Sequence, residues 1–168
     1  MSLRTEGMEP VEMEHVDVAV IGSGGGLKIA MTAAAMGLKT VLLEPGPLGG
    51  TCLNRGCIPS KILIQPADFM LRMQRAGAVN LRWNGQVAVD YAALAARLQA
   101  EIRQVGMQLE KRIGHTPNLT WLKDTAHFAG PKKILTDGHH LLEADRIFIA
   151  TGSTPRVPAL PGLAGVPY

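Results

Sequence analysis

The stretch GGTCLNRGCIPSK, residues 49–61, holds Cys52 and Cys57, the only two cysteines in the 168-residue chain. Two thiols at this spacing can do three kinds of chemistry. They can form a structural staple, supply half of a metal site, or act as a reversible redox pair. A disulfide needs Cα atoms about 4.4–6.8 Å apart. An ideal helix separates residues i and i+5 by roughly 8.6 Å, and a strand by roughly 16 Å. A pair that closes must therefore sit in a distorted first turn, with Gly56 giving backbone freedom and Pro59 suited to the start of the helix that follows. Cys57 then lies near a helix N-terminus, whose positive end favours a thiolate, and Lys61 adds positive charge within one turn. Zinc ribbons use paired CxxC motifs, whereas a single CxxxxC stands here. The five histidines (His15, His115, His127, His139 and His140) have no ligand spacing to it.

A second set of residues suits nucleotide binding. The apolar run Asp17–Ile21 stops at the cluster Gly22-Ser23-Gly24-Gly25-Gly26, and an alanine-rich segment from Leu27 to Met36 follows, closed by Gly37. A buried run, Thr40–Leu43, then ends at Glu44. This reads as strand, glycine turn, helix and strand, with an acid at the tip. Gly22 permits the tight turn, and Gly24 lets the backbone approach a diphosphate at the helix N-terminus. Glu44 stands where an acid accepts hydrogen bonds from an adenosine ribose. The third glycine of GxGxxG should be residue 27, which is leucine. That substitution is expected to push the helix outward unless Gly25 and Gly26 absorb the shift.

The remaining elements must position these two groups. The cysteine segment runs into a helix expected to reach about Met73. Asp90 caps a second, long helix that Gly114 ends, and Leu94, Leu98, Ile102, Val105, Leu109 and Ile113 form an apolar stripe along it, read as core packing. Short strands are expected at 119–122, 126–128, 133–136 (followed by a turn at Asp137-Gly138) and 146–150. The fold class is α/β: a parallel sheet built on a βαβ unit, with a small antiparallel β region and a long helix. Thr151-Gly152-Ser153 leads into a proline-rich tail.

Composition narrows the function. With 46% hydrophobic and 18% charged residues the chain reads as globular, and 168 residues suffice for about one domain. A net charge of +3, scattered basic residues and 4% aromatics do not make a nucleic-acid surface. No run approaches the ~20 apolar residues of a membrane span, and the acidic N-terminus lacks a signal-peptide core. A cytoplasmic location is expected, where a disulfide persists only with redox work to do.

GGTCLNRGCIPSK resembles the active-site signature of the pyridine nucleotide–disulfide oxidoreductases, the class of dihydrolipoamide dehydrogenase, mercuric reductase and glutathione reductase. The likeness extends over roughly residues 16–168 and includes the IATGSTPRVP segment. It implies a Rossmann-like FAD-binding unit. Gly22, Gly24, Gly50 and Thr51 would hold the FAD pyrophosphate, and Glu44 the ribose. Cys52 would exchange with a substrate disulfide, Cys57 would face the flavin, and Lys61 would sit near its reactive edge. Ala126 would contact the adenine, although Asp124 replaces a glycine often found two residues earlier. Thr151 and Gly152 would mark the chain's return to FAD. The resemblance further implies a lipoyl-type disulfide or dithiol substrate (mercuric ion being the alternative), NAD(P) bound on a domain absent from this chain, and a homodimer in the full-length enzyme. The expected layout is a disordered or foreign lead-in at 1–15, an incomplete FAD-binding domain at 16–153 and a linker at 154–168. The isolated piece is expected to be inactive, and a non-catalytic α/β domain with idle thiols is the competing class.

Overall fold

A computed structural model of the chain describes residues 13–166. Ten α-helices and β-strands follow one another among the described residues: β1 (Met13–Ile21), α1 (Gly26–Ala35), β2 (Thr40–Leu43), α2 (Gly50–Asn54), α3 (Cys57–Gln74), α4 (Tyr91–Gly114), β3 (Leu119–Leu122), β4 (Ala126–Gly130), β5 (Lys133–Thr136) and β6 (Leu141–Ile149). The strands form one six-stranded sheet in the order β3-β2-β1-β6-β5-β4. β3, β2, β1 and β6 run parallel, while β5 and β4 are added antiparallel, which is the expected mixture of a parallel sheet and a small antiparallel region.

Val18, Val20 and Leu42 point to one face, where they pack with Ala30, Ala33 and Ala34 of α1 and Ile113 of α4. Alanine on the inner side of α1 lets the helix lie close to the sheet. Ala19, Val41 and Leu43 point the other way and join Ile134, Leu142 and Ala144 of the β5–β6 hairpin. Both faces of β2 are thus covered, so all four of its residues are buried with no in–out alternation. Each buried Val or Leu contributes about 1.5–3 kcal/mol relative to exposure.

Three strands are longer than their sequence pattern suggests, β4 by two residues at its C-terminal end. β1 begins at Met13, inside the stretch expected as a lead-in, because Met13–His15 pair with Leu141–Glu143 of an equally extended β6. The rest of that lead-in lies outside the described residues. The long helix is bounded as expected: Asp90 accepts a hydrogen bond from the Ala93 N–H at 2.9 Å, and the helix ends at Gly114. Its apolar stripe is only partly core. Leu98 and Ile113 are buried, whereas Val105 is exposed, because the sheet reaches only the C-terminal end of α4 and the rest has α3 as its partner.

The leucine at position 27 does not displace α1. Gly26 makes the close helix–strand approach instead, since a Cβ there would fall 2.7 Å from Val20 Cγ1 and 3.0 Å from the Ala150 Cβ. Leu27 packs at the margin of the core under α4. Asp124, the other departure, fastens a turn. Its Oδ2 accepts from the Gly138 N–H and its Oδ1 from the Thr125 N–H, at 2.6 and 2.8 Å.

Two expectations follow. Gly26→Ala overpacks the strand–helix contact and should cost about 1–3 kcal/mol, read as a lowered Tm. An unchanged Tm would show that the contact can relax. The Thr136 hydroxyl, then the Gly138 amide, hold the Asp124 carboxyl below its ordinary range. A carboxyl with a lower pKa in the folded state than in the unfolded state stabilises the fold above its unfolded value, and that stabilisation is lost as pH falls through the folded value. Hydrogen exchange at Gly138, corrected for its intrinsic pH dependence, should therefore lose protection at acid pH, and Asp124→Asn should abolish the transition.

Candidate functional site

The site forms where β1, β2 and β6 end. The Gly22 N–H donates to the Leu43 carbonyl, and the Ala150 N–H donates to the Ile21 carbonyl, both at 2.8 Å. Gly22 takes φ +97°, and a side chain there would collide with the Ala150 carbonyl. Only glycine satisfies both demands. Two residues on, Gly24 touches the cysteine segment directly: a Cβ on Gly50 would fall 2.6 Å from the Gly24 Cα. The glycine turn and the thiol loop are therefore packed backbone against backbone.

Glu44 projects from the tip of β2 and is already held. Its Oε2 accepts from the Ser23 N–H at 2.9 Å and from the Ser23 hydroxyl at 2.8 Å, and its Oε1 accepts from the Gly46 N–H at 2.9 Å. Its backbone carbonyl accepts from Trp121 Nε1–H at 3.1 Å. Ser23, fully buried, was not singled out from the sequence. It occupies the variable position of GxG, where spacing imposes no residue type, so no sequence signal marks it. Its Oγ also accepts from the Gly49 N–H at 3.0 Å.

The cysteines sit on successive helices. Cys52 is the third residue of the short α2, and Cys57 opens α3, with Gly56 between the two helices. A Cβ on Gly56 would crowd the Thr51 carbonyl at 3.2 Å. Asn54, also missed from sequence, ties the loop from inside: its Nδ2 donates to the Gly50 carbonyl at 2.9 Å and the Leu48 carbonyl at 3.0 Å. Both thiols are free and exposed. The neighbouring Cys57 side chain pushes the Cys52 pKa up, a small loss of solvation adds to the rise, and the Lys61 charge opposes it.

Gly24, Gly25, Glu44, Gly49, Gly50, Thr51, Cys52, Ala150, Thr151 and Gly152 line one cleft of about 490 Å³. Of the residues singled out by sequence, it brings together Gly24, Glu44, Gly50, Thr51, Cys52, Thr151 and Gly152, with Gly22 beneath them against Ala150. Cys57 and the exposed Lys61 lie outside its lining, on the first turns of α3. Ala126 is elsewhere, packed against the second core cluster. The cleft suits a dinucleotide such as FAD. Bare glycine backbone lines it at the N-terminus of the ten-residue α1, and a Cβ on Gly25 would meet no atom within 4 Å. An extended diphosphate can therefore approach the amides without a side chain intervening, and Glu44 lines the same cleft. Among the described residues, no group of three or more His, Cys, Asp or Glu side chains is placed to hold a metal ion, and no helix is long and apolar enough to cross a membrane.

If Cys57 raises the Cys52 pKa, then Cys57→Ala should move the pH midpoint of Cys52 alkylation by iodoacetamide downward. Lys61→Gln should move it upward. Midpoints that do not respond to either change would mean that the three side chains do not interact.

The sequence pattern of the pyridine nucleotide-disulphide oxidoreductases matches residues 16–167. The chain is 38% identical over 152 residues to the dihydrolipoyl dehydrogenase of Chlamydia muridarum, covering 89% of this chain and 32% of that protein. It is 34% identical over 162 residues to the mercuric reductase of Shigella flexneri, covering 90% and 28%. Among solved structures it resembles the HOCl-induced flavoprotein disulfide reductase RclA from Escherichia coli, with a TM-score of 0.72 and 26% identity over 88% of this chain and 31% of that one. The chain thus spans about a third of the length of these relatives. A glycine turn, the Glu44 carboxylate and Cys52 of the CxxxxC loop on one cleft accompany a match over nearly the whole chain, and the chain belongs to the pyridine nucleotide-disulphide oxidoreductase family.

Proposed function

We propose that this chain is the FAD- and thiol-bearing part of a flavin-dependent disulfide oxidoreductase of dihydrolipoyl dehydrogenase type. In this reading it passes electrons between NAD(P)H, FAD and the Cys52–Cys57 pair. The observation that carries the reading is the contact of Gly24 with Gly50, because it brings Cys52 and Glu44 to the lining of one cleft walled by glycine backbone. Gly22, Gly24, Gly50 and Thr51 would hold the FAD diphosphate and Glu44 the adenosine ribose, with Thr151 and Gly152 on the facing wall. FAD, when bound, supplies a two-electron carrier between nicotinamide and sulfur. NAD(P) would act from a part of the enzyme beyond these 168 residues, in a cytoplasmic homodimer.

The chain's own residues account for the thiol chemistry. The Cys52 thiolate attacks one sulfur of a substrate disulfide, a mixed disulfide forms, and one substrate thiolate leaves. The Cys57 thiolate then attacks the Cys52 sulfur. The Cys52–Cys57 disulfide forms and the second substrate thiolate leaves. The substrate has gained the two electrons lost by the cysteine pair, and the two protons released by the cysteines balance the two substrate thiolates. A dithiol substrate runs the same steps in reverse. Lys61 favours the thiolate form of Cys52 that the first step requires. The lipoyl-type substrate is favoured by the likeness to the chlamydial enzyme. Mercuric ion is the second reading, favoured by the likeness to the Shigella enzyme and by two free, exposed thiols.

The chain and its Gly50→Ala variant should be titrated with FAD and followed by flavin fluorescence. The native sequence should take up flavin, and the variant should bind roughly tenfold more weakly or worse, because its Cβ overlaps Gly24. Oxidised lipoamide should close the Cys52–Cys57 disulfide, seen by mass, and Cys52→Ser should abolish the reaction. Mercuric ion retained by both thiols, with lipoamide inert, would select the second reading. A chain that takes up no flavin and whose thiols ignore both reagents is a non-catalytic α/β domain.

A further inference from the structure

Ser23 lies between the two halves of the site. Its hydroxyl is fully buried and works in both directions, donating to Glu44 Oε2 at 2.8 Å and accepting from the Gly49 N–H at 3.0 Å. Gly49 and Gly50, both at positive φ, then lead directly into α2 and Cys52. On its other side this loop is held by the Asn54 amide through the Leu48 and Gly50 carbonyls. The loop bearing Cys52 is therefore suspended between a side chain that answers to Glu44 and one that belongs to its own helix. We propose that Ser23 is a positioning residue whose hydroxyl couples the Glu44 carboxylate to the Cys52 loop, so that a change at the carboxylate alters the reactivity of the thiol. The inference rests on the reading of Glu44 and Cys52 as working parts of one site.

The coupling follows from the order of donors and acceptors. A hydroxyl donating to an ionised carboxylate makes a charge-assisted bond, which polarises its oxygen and makes it a stronger acceptor for the Gly49 amide. A ligand hydroxyl that donates to Glu44 draws on the same negative charge. The Ser23 bond then weakens, the Gly49 bond weakens with it, and the loop loosens. Binding linkage makes the effect reciprocal: the state of the loop feeds back on the affinity at Glu44. A serine that merely filled space would leave Glu44 and Cys52 independent.

The test is a double-mutant cycle of Glu44→Gln and Ser23→Ala in the full 168-residue chain, without nucleotide and with Cys57→Ser so that Cys52 alone reacts. The readouts are the rate and the pH midpoint of Cys52 alkylation by iodoacetamide. Glu44→Gln should change the rate by about threefold or more when Ser23 is present and shift the midpoint, and should do neither when residue 23 is alanine. Effects that multiply independently overturn the proposal. Should the Ser23→Ala chain fail to fold, hydrogen exchange at the Gly49 amide reads the coupling with Ser23 intact. Exchange should quicken in Glu44→Gln, and unchanged exchange overturns the proposal. Because every measurement is ligand-free, absent flavin uptake with intact coupling retires the proposed function alone, and independent effects with normal uptake retire the relay alone.

Discussion

Two stretches of backbone meet at Gly24 and Gly50 with no side chain between them, and the rest of the site depends on that contact. It fixes how far the thiol loop stands from the glycine turn, and hence where Cys52 lies relative to Glu44. The sheet supports it from below. Parallel pairing of β1 with both β2 and β6 brings the ends of three strands level, and Gly22 lets the chain leave β1 against the Ala150 carbonyl. Without side-chain bulk at these points, two loops distant in sequence share one wall.

Around this contact the polar groups are arranged before any ligand arrives. Glu44 accepts three hydrogen bonds from protein donors, so its orientation would cost little if a ligand bound there. Asn54 and Ser23 do the same for the loop at 48–50. The thiols differ in being exposed to solvent.

Much of this was legible in the sequence because it rests on local rules. β2, β3 and β5 fall on short apolar runs, Asp90 is a cap by type and position, and Gly22, Gly24, Glu44 and the two cysteines carry spacings with chemical meaning. What escaped depends on partners distant in sequence. Met13–His15 and Leu141–Asp145 become strand largely by pairing across the sheet, and neither shows a clear alternation alone. The stripe on α4 gives a face but not the length over which that face is covered. Gly26 takes the packing task that the motif assigns to residue 27, because the contact is set by where Val20 and Ala150 lie and not by counting from Gly22. Ser23 and Asn54 carry no type signal at all, and Asp124 finds its use only when the Asp137–Gly138 turn folds back onto it.

The glycine cluster also separates two demands that sequence alone merges. At Gly22 and Gly26 an added methyl group strikes protein atoms, so the architecture itself excludes it. Gly25 is different: it holds ordinary right-handed helical dihedrals, and a methyl group there would stand in open space. Nothing internal to the molecule asks that position to stay bare. Gly24 shares that freedom, because a methyl group there would rest in ordinary contact 3.8 Å from the Gly50 Cα, so these two glycines of the turn are the ones whose identity would report on a guest and not on the host.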